Sequence, residues 1–428
     1  MTTRPSVMKI HRLTLQNFHG FETLDLALEP SLTLLIGENG AGKTAVLEGL
    51  AVALGGLSLD LPGATGRSID ADDVRVKIYE HAGLLDRQAQ WPVRVLARAT
   101  VDGEAMEWER SRATLEGRTT RSQTEALRGY AKDLVKAVKA GKPRDLPVVA
   151  YYGTQRLWQQ KKITTAKRGV GSRYDGYVDA LDPASNHRLL AEWMYQQTLV
   201  ELQRRKDVPQ LHAVERAVCQ CIEGATRFFF DVKEQDLLLE REGAEPLPFS
   251  TLSDGYRNMV ALVADIAWRA AVLNPHFGAA AAERSEGVIL IDEIDLHLHP
   301  RWQRRVLGDL RRTFPGLQFI TTTHSPQVLS SVRREEVRIF EKNLLVDAHP
   351  FVEGRDTNSL LEDVLGVPER PDDVTVRIDE VSRLIEEERY EPAAKALDGL
   401  EAQLGPDDPA VLRARWILDR EAMPKVDG

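Results

Sequence analysis

Gly37-Glu38-Asn39-Gly40-Ala41-Gly42-Lys43-Thr44 fits the G-x-x-x-x-G-K-[ST] pattern of a phosphate-binding loop. The run before it, Leu32-Thr-Leu-Leu-Ile36, has the apolar character of a strand buried in a parallel sheet. The run after it, Ala45 to Leu54, is helix-forming. Glycines let the backbone wrap closely around phosphates and present N–H groups to them at a helix N-terminus. The pattern therefore nominates Gly37, Asn39, Gly40, Ala41, Gly42, Lys43 and Thr44 as nucleotide contacts. Lys43 would reach the β- and γ-phosphates of a nucleotide, and the Thr44 hydroxyl would ligate Mg²⁺. A Gly-rich turn that binds nothing is the plainer reading. The strand, the helix and the Lys-Thr pair together weigh against it.

Outward from the loop, Met8 to Phe18 and Phe21 to Leu28 alternate apolar and polar residues and read as a hairpin leading into the loop strand. Trp91 to Val101 and Glu104 to Arg110 form a second hairpin around Asp102-Gly103. Residues 121–144 read as a basic helix and Leu146 to Tyr152 as an apolar strand. From Arg156 to Arg173 the charged residues are all basic, with Trp158 and Tyr174 flanking. A solvated loop and a phosphate-backbone contact to DNA or RNA both remain open for this run. Residues 186–226 carry helical periodicity broken at Asp207-Val-Pro209, with no heptad repeat sustained for several turns. Phe228 to Leu239 supplies one or two strands.

The chain has 428 residues, enough for two or three domains, with 43% hydrophobic and 28% charged residues, as in ordinary globular proteins. No apolar run approaches the ~20 residues of a membrane span, and the N-terminus lacks an apolar leader, so a cytoplasmic location without membrane contact is expected. A net charge of −9 argues against indiscriminate nucleic-acid coating. Cys219 and Cys221 read as small buried residues, not as a disulfide or metal pair.

The second half supplies more chemistry. Gly287 to Ile291 is a buried strand ending in Asp292-Glu293. A carboxylate at that position orders Mg²⁺, and Glu293 is placed to polarise the attacking water as general base. His297-x-His299 is only a weak metal signal, with no Cys or third ligand nearby in sequence. Arg301 to Arg312 reads as a basic helix, and Leu317 to Thr321 as a strand followed by His324, which taken alone reads as a structural strand-end histidine. Beyond it lie a short helix at Asp356–Gly366, a linker at Pro368–Pro371 and three tail helices.

Read together, "strand, Asn17-Phe-x-Gly-Phe21, strand, Gly37–Thr44" resembles the N-terminal head of ABC-type ATPases related to the SMC, RecF and OLD proteins. Leu252-Ser253-Asp254-Gly255-Tyr256 resembles the ABC signature, Leu-Ser-Gly-Gly-Gln, departing at its third and fifth positions. Ser253, Gly255 and the following helix N-terminus could still offer donors to a γ-phosphate. The block from Asp292 to Pro300 resembles the Walker B and D-loop region, and Thr322-Thr323-His324-Ser325-Pro326 the switch-histidine loop. The resemblance implies catalytic roles for Lys43, Glu293 and His324, Mg²⁺ contacts from Thr44, Asp292 and Gln155, and a D-loop place for Asp295 facing a second subunit. It implies an α/β fold: an ABC-type P-loop ATPase head, with a mixed sheet plus an antiparallel subdomain, a helical insertion and a small helical C-terminal region. The expected divisions are 1–155, 156–248, 249–345 and 346–428.

In this class one subunit's signature completes the other's phosphate loop, which implies a head-to-tail dimer or a dimer-based assembly sandwiching ATP. Tyr151 to Trp158, Asp179 to Asn186 and residues 287–331 resemble the Septu ATPase and its relatives in some retrons, which are anti-phage systems. That implies an HNH-type nuclease partner and, in retrons, a reverse transcriptase with its DNA–RNA product. The alternative is a RecF-like repair ATPase acting on DNA. A self-contained OLD-like nuclease ranks last, because residues 341–428 are short and helical. Arg389 to Leu397 resembles part of a tetratricopeptide hairpin; completing the fold and docking a partner stand as equal readings for the tail.

Overall fold

The computed structural model describes residues 7–81, 84–157, 171–183 and 187–421. Residues up to Thr357 make one compact unit and those from Asn358 a second. The strands are Met8–Phe18 (β1), Phe21–Ala27 (β2), Leu32–Gly37 (β3), Val76–His81 (β4), Leu84–Ala89 (β5), Val93–Val101 (β6), Glu104–Arg112 (β7) and Val148–Tyr152 (β8). They continue with Ala225–Asp231 (β9), Asp236–Arg241 (β10), Leu247–Pro248 (β11), Gly287–Ile291 (β12), Leu317–Thr322 (β13), Val337–Glu341 (β14) and Leu344–Val346 (β15).

Six strands form the central sheet, in the order β15-β14-β3-β13-β12-β8. All neighbours pair parallel except β15, which runs antiparallel to β14. The inner strands are buried end to end, which is why they read as continuous apolar runs and not as alternating ones. Register brings their C-terminal ends together: Ile291 pairs with both Tyr152 and Thr321, and Thr322 pairs with Leu35. The loops leaving β3, β12 and β13 therefore converge on one edge, where open α/β sheets bind ligands.

A second sheet, β2-β1-β6-β7, is antiparallel, and its alternating burial matches its alternating sequence. The helix Lys43–Ser58 (α1) lies between the two sheets, packs on strands of both, and is buried along nearly its whole length. Its glycines mark the closest approaches. A Cβ at Gly49 would stand 2.8 Å from Leu15 Cδ2, and one at Gly55 would stand 2.5 Å from the Arg67 carbonyl oxygen. Trp108 Nε1 donates to the Ala53 carbonyl at 3.0 Å, pinning β7 to the helix.

The helix Asp254–Leu273 packs behind β8 through a buried charge cluster. Arg269 Nε donates to Asp265 Oδ2 at 2.7 Å, Tyr152 Oη donates to the same oxygen at 2.6 Å, and Arg269 Nη1 donates to the Gly176 carbonyl at 2.8 Å. Removing one partner strands a buried charge, so Asp265→Ala should cost about 3–5 kcal/mol in urea unfolding. A loss below ~1 kcal/mol would show that the cluster is not a fastener.

Two strand pairs answer to no expectation from the sequence. β14–β15 extend the central sheet beyond β3, and β4–β5 form a separate ribbon with every residue exposed. The expected helix over Arg301–Arg312 is also corrected. It is two helices, Pro300–Gln303 and Val306–Thr313. Between them the Arg305 N–H bonds the Trp302 carbonyl, three residues back, and that tightened turn breaks the run. Its arginines are paired rather than open: Arg301 and Arg305 meet Glu223, and Arg311 meets Glu336. Cys219 and Cys221 are free thiols, Cys221 buried with its Sγ 3.2 Å from Thr313 Oγ1.

In the second unit the helices Asp372–Glu386, Tyr390–Leu404 and Pro409–Glu421 pack around Val381, Leu384, Ala393, Leu397, Leu400 and Val411, after a short helix at Thr357–Asp363. Gly405, with φ of 93°, ends the middle helix. Among the described residues no helix is long and apolar enough to cross a membrane.

Candidate nucleotide-binding site

The turn from β3 into α1 needs its glycines. Gly37, Gly40 and Gly42 have φ of 146°, 77° and 98°, which L side chains rarely adopt. Crowding adds to this: a Cβ at Gly42 would stand 2.5 Å from the Phe21 ring. The loop is thus open on its phosphate side and packed on the other, where Ala41 is buried.

A cleft of about 520 Å³ opens there, lined among others by Asn39, Gly40, Gly42, Lys43, Thr44, Asp292, Glu293 and His324. Lys43 reaches back along the loop, its Nζ donating to the carbonyls of Gly37 and Glu38 at 2.8 Å each. Burial lowers its pKa, and the carboxylates of Asp292, Glu293 and Asp295 work in the opposite direction. Thr44 Oγ1 donates to Asp292 Oδ2 at 2.9 Å, joining two residues 248 positions apart. The other Asp292 oxygen accepts from Thr322 Oγ1 at 2.6 Å, and the same hydroxyl accepts the Glu293 N–H at 2.7 Å. Thr323 Oγ1 donates to Asp295 Oδ1 at 2.5 Å. Thr322, which ends β13, and Thr323, just after it, thus orient the carboxylates that follow β12.

Glu293 itself has φ of 47°, a conformation uncommon outside glycine, set in the tight turn after β12. His324 lines the same cleft. Burial and then the Lys43 charge lower its pKa, so it is a neutral imidazole near pH 7, able to donate at one nitrogen and accept at the other. A hydroxyl and a carboxylate oxygen in contact, Thr44 and Asp292, are hard donors of the kind Mg²⁺ takes.

Gly37, Ala41 and Asp295 adjoin the cleft residues in sequence without lining it, and three expected residues lie elsewhere in the chain. Ser253 is exposed at the N-cap of the helix Asp254–Leu273, and Gly255 packs against the backbone after Asp295, where a Cβ would stand 2.5 Å from the His297 carbonyl oxygen. Neither lines the cleft of its own chain. Gln155 is exposed in the turn Thr154–Leu157 after β8, also outside the cleft lining. Of the basic run, residues 158–170 lie outside the described residues. Arg173 is corrected to a fastener: its Nε donates to the Leu273 carbonyl at 2.8 Å and its Nη2 to that of Arg144.

Sequence reasoning missed the cleft's other wall. His19 Nε2 lies 2.7 Å from Glu48 Oε2 and 3.1 Å from Asp73 Oδ1, and Arg67 pairs with both carboxylates. His19, Glu48 and Asp73 could in principle ligate a metal, but Arg67 already supplies the cationic charge there. Burial opposes the charged imidazole, yet the two carboxylates outweigh it and raise His19 to about 9. A raised pKa means stabilisation complete below the ordinary histidine value of ~6.5 and lost as pH climbs to about 9. Unfolding free energy should therefore drop between pH 6.5 and 9, and His19→Gln should flatten that slope. An equal slope in both proteins would remove His19 as its source.

An AAA-domain family model matches residues 12–224, and a second AAA-domain model, described for a Type IV TA system, matches 171–330. They span the phosphate loop, Asp292-Glu293 and His324. The chain belongs with the AAA-domain proteins. Among curated proteins, this ATPase is similar to the "Retron Ec83 probable ATPase" of Escherichia coli, 24% identical over 96% of this chain and 87% of that one. It is also similar to the "Retron Vc95 probable ATPase" of Vibrio cholerae serotype O1 biovar El Tor, 24% identical over 91% of this chain and 84% of that one. The "Septu protein PtuA" of Bacillus thuringiensis is 28% identical over 41% of this chain and 46% of that one.

Proposed function

We propose that this ATPase is the ATP-hydrolysing subunit of a cytoplasmic anti-phage defence complex, which holds an HNH-type nuclease in check through ATP-dependent pairing of two heads. The observation that carries the ATP reading is the Thr44–Asp292 contact at 2.9 Å inside the cleft that also holds Lys43, Glu293 and His324. In this reading Lys43 and the loop N–H groups of Gly37 to Thr44 grip the phosphates. Thr44 and Asp292 would hold Mg²⁺, which supplies charge neutralisation at the β- and γ-oxygens. Glu293 takes the proton of the attacking water, and His324 hydrogen-bonds the γ-phosphate or that water. Ser253, Gly255 and Asp295 would act on the neighbouring subunit's nucleotide, which accounts for the exposed Ser253. Gln155 would join only if its turn swings toward the bound phosphates.

The defence role leans on the similarity to the retron and Septu proteins. A reverse transcriptase with its DNA–RNA product would complete the assembly if the native operon is a retron. Expression of that operon with a tagged ATPase, followed by purification and identification of bound chains, tests this. A stoichiometric nuclease is the expected result. Recovery of the ATPase alone, or with replication and repair proteins, would overturn the reading in favour of a RecF-like role.

A further inference from the structure

A second cleft, also about 520 Å³, opens at the far end of α1 from the phosphate loop, between β7 and the segments around residues 70 and 118. Four of its lining residues are arginines, Arg110, Arg112, Arg118 and Arg121, against one carboxylate, Asp70. The concentration is notable in a chain whose net charge is −9.

Arg110 decides how the cleft is read. It is 2% exposed, and among the described residues no carboxylate pairs with it. Its Nη1 donates to the carbonyls of Val52 and Arg67, at 3.0 and 2.6 Å. Its Nε is buried with no hydrogen-bond partner among the described residues. A buried guanidinium left with unspent donors is costly, because the desolvation of each lost hydrogen bond goes uncompensated. Burial, with the neighbouring Arg121 charge, lowers its pKa to about 10, so it stays charged at neutral pH.

The surrounding charges do not balance it. Arg112 spends its guanidinium on the carbonyls of Gly117, Ile69 and Leu115. The side chains of Arg118 and Arg121 make no hydrogen bond or ion pair among the described residues, and Asp70 pairs with none of the four. Asp60, which also feels the Arg121 charge, is held by Arg128 at 2.6 Å. What such a cleft lacks is an anion. Planar guanidinium forks match phosphate oxygens with paired hydrogen bonds, and several forks converging favour a phosphoryl group over a single carboxylate.

We infer that this cleft is a second anion site, separate from the nucleotide cleft, that binds a phosphoryl group through Arg110, Arg118 and Arg121. The group belongs either to a nucleic-acid backbone or to a small phosphorylated molecule. Both present the same oxygens to the same forks.

The full chain, saturated with ADP and Mg²⁺ so that the Gly37–Thr44 loop is filled, is titrated calorimetrically with inorganic pyrophosphate. A short single-stranded oligonucleotide without a terminal phosphate is titrated in parallel. Saturable binding of about one pyrophosphate per chain is expected. The Arg118→Ala/Arg121→Ala variant, whose changes are on exposed side chains, should weaken it about tenfold or more while leaving ADP affinity and melting temperature unchanged. Arg110→Met should abolish it, and if that variant misfolds the double variant still decides. An oligonucleotide that competes with pyrophosphate, with the same arginine dependence and a steep salt slope, identifies a nucleic-acid backbone as the source. One that does not compete identifies a small phosphorylated ligand. Absence of saturable binding by either probe, or equal affinity in the double variant, overturns the site.

Discussion

A Lys43→Ala chain should bind ATP about two to three orders of magnitude more weakly than the native one. Hydrogen bonds from a charged donor contribute ~1.5–3 kcal/mol each, and the ammonium has two or three to give to phosphate oxygens. Its removal does further damage. The carbonyls of Gly37 and Glu38 lose their shared donor, and Asp292, Glu293 and Asp295 lose the cation that offsets them. The cleft then repels a triphosphate instead of attracting it. Titration with a fluorescent ATP analogue reads this directly. Affinity within threefold of the native value would place the phosphate grip elsewhere.

Glu293→Gln should separate binding from chemistry. The exchange keeps shape and the backbone N–H bond to Thr322 Oγ1, so the turn at φ of 47° survives. It removes the carboxylate that would take the water proton, which costs about 10²–10⁴ in rate for a general base. ATP then persists between the heads and the paired state accumulates. Light scattering across gel filtration with ATP and Mg²⁺ should show more dimer for Glu293→Gln than for the native chain. A variant no more dimeric than the native protein would sink the ATP-sandwich reading, whatever its hydrolysis rate.

Much of this arrangement could be read from residues alone, for reasons that differ by element. Strands buried on both faces announce themselves as apolar runs, so β3, β12 and β13 and the chemistry at their ends were visible at once. The ribbon β4–β5 buries nothing, so its sequence has no alternation to detect. β14 follows directly on Arg333 to Glu336, and the charges disguise a buried strand. His19 reads as turn punctuation because its partners, Glu48 and Asp73, are far off in sequence. Arg110 was hidden more deeply. It sits among Glu107, Glu109 and Arg112 in a polar strand, and only the observed pleat puts it on the inner face.

Helix α1 has one more consequence. Gly49, Gly55 and Gly56 each weaken a helix by about 1 kcal/mol relative to alanine, and the contacts around Gly49 and Gly55 leave no space for that methyl. Such a segment has little reason to be helical until both sheets close on it. The phosphate grip therefore cannot exist as a preformed local structure, nor melt as one. It should appear and vanish with the whole first unit in a single cooperative transition, so that loss of nucleotide binding on heating tracks loss of tertiary structure degree for degree.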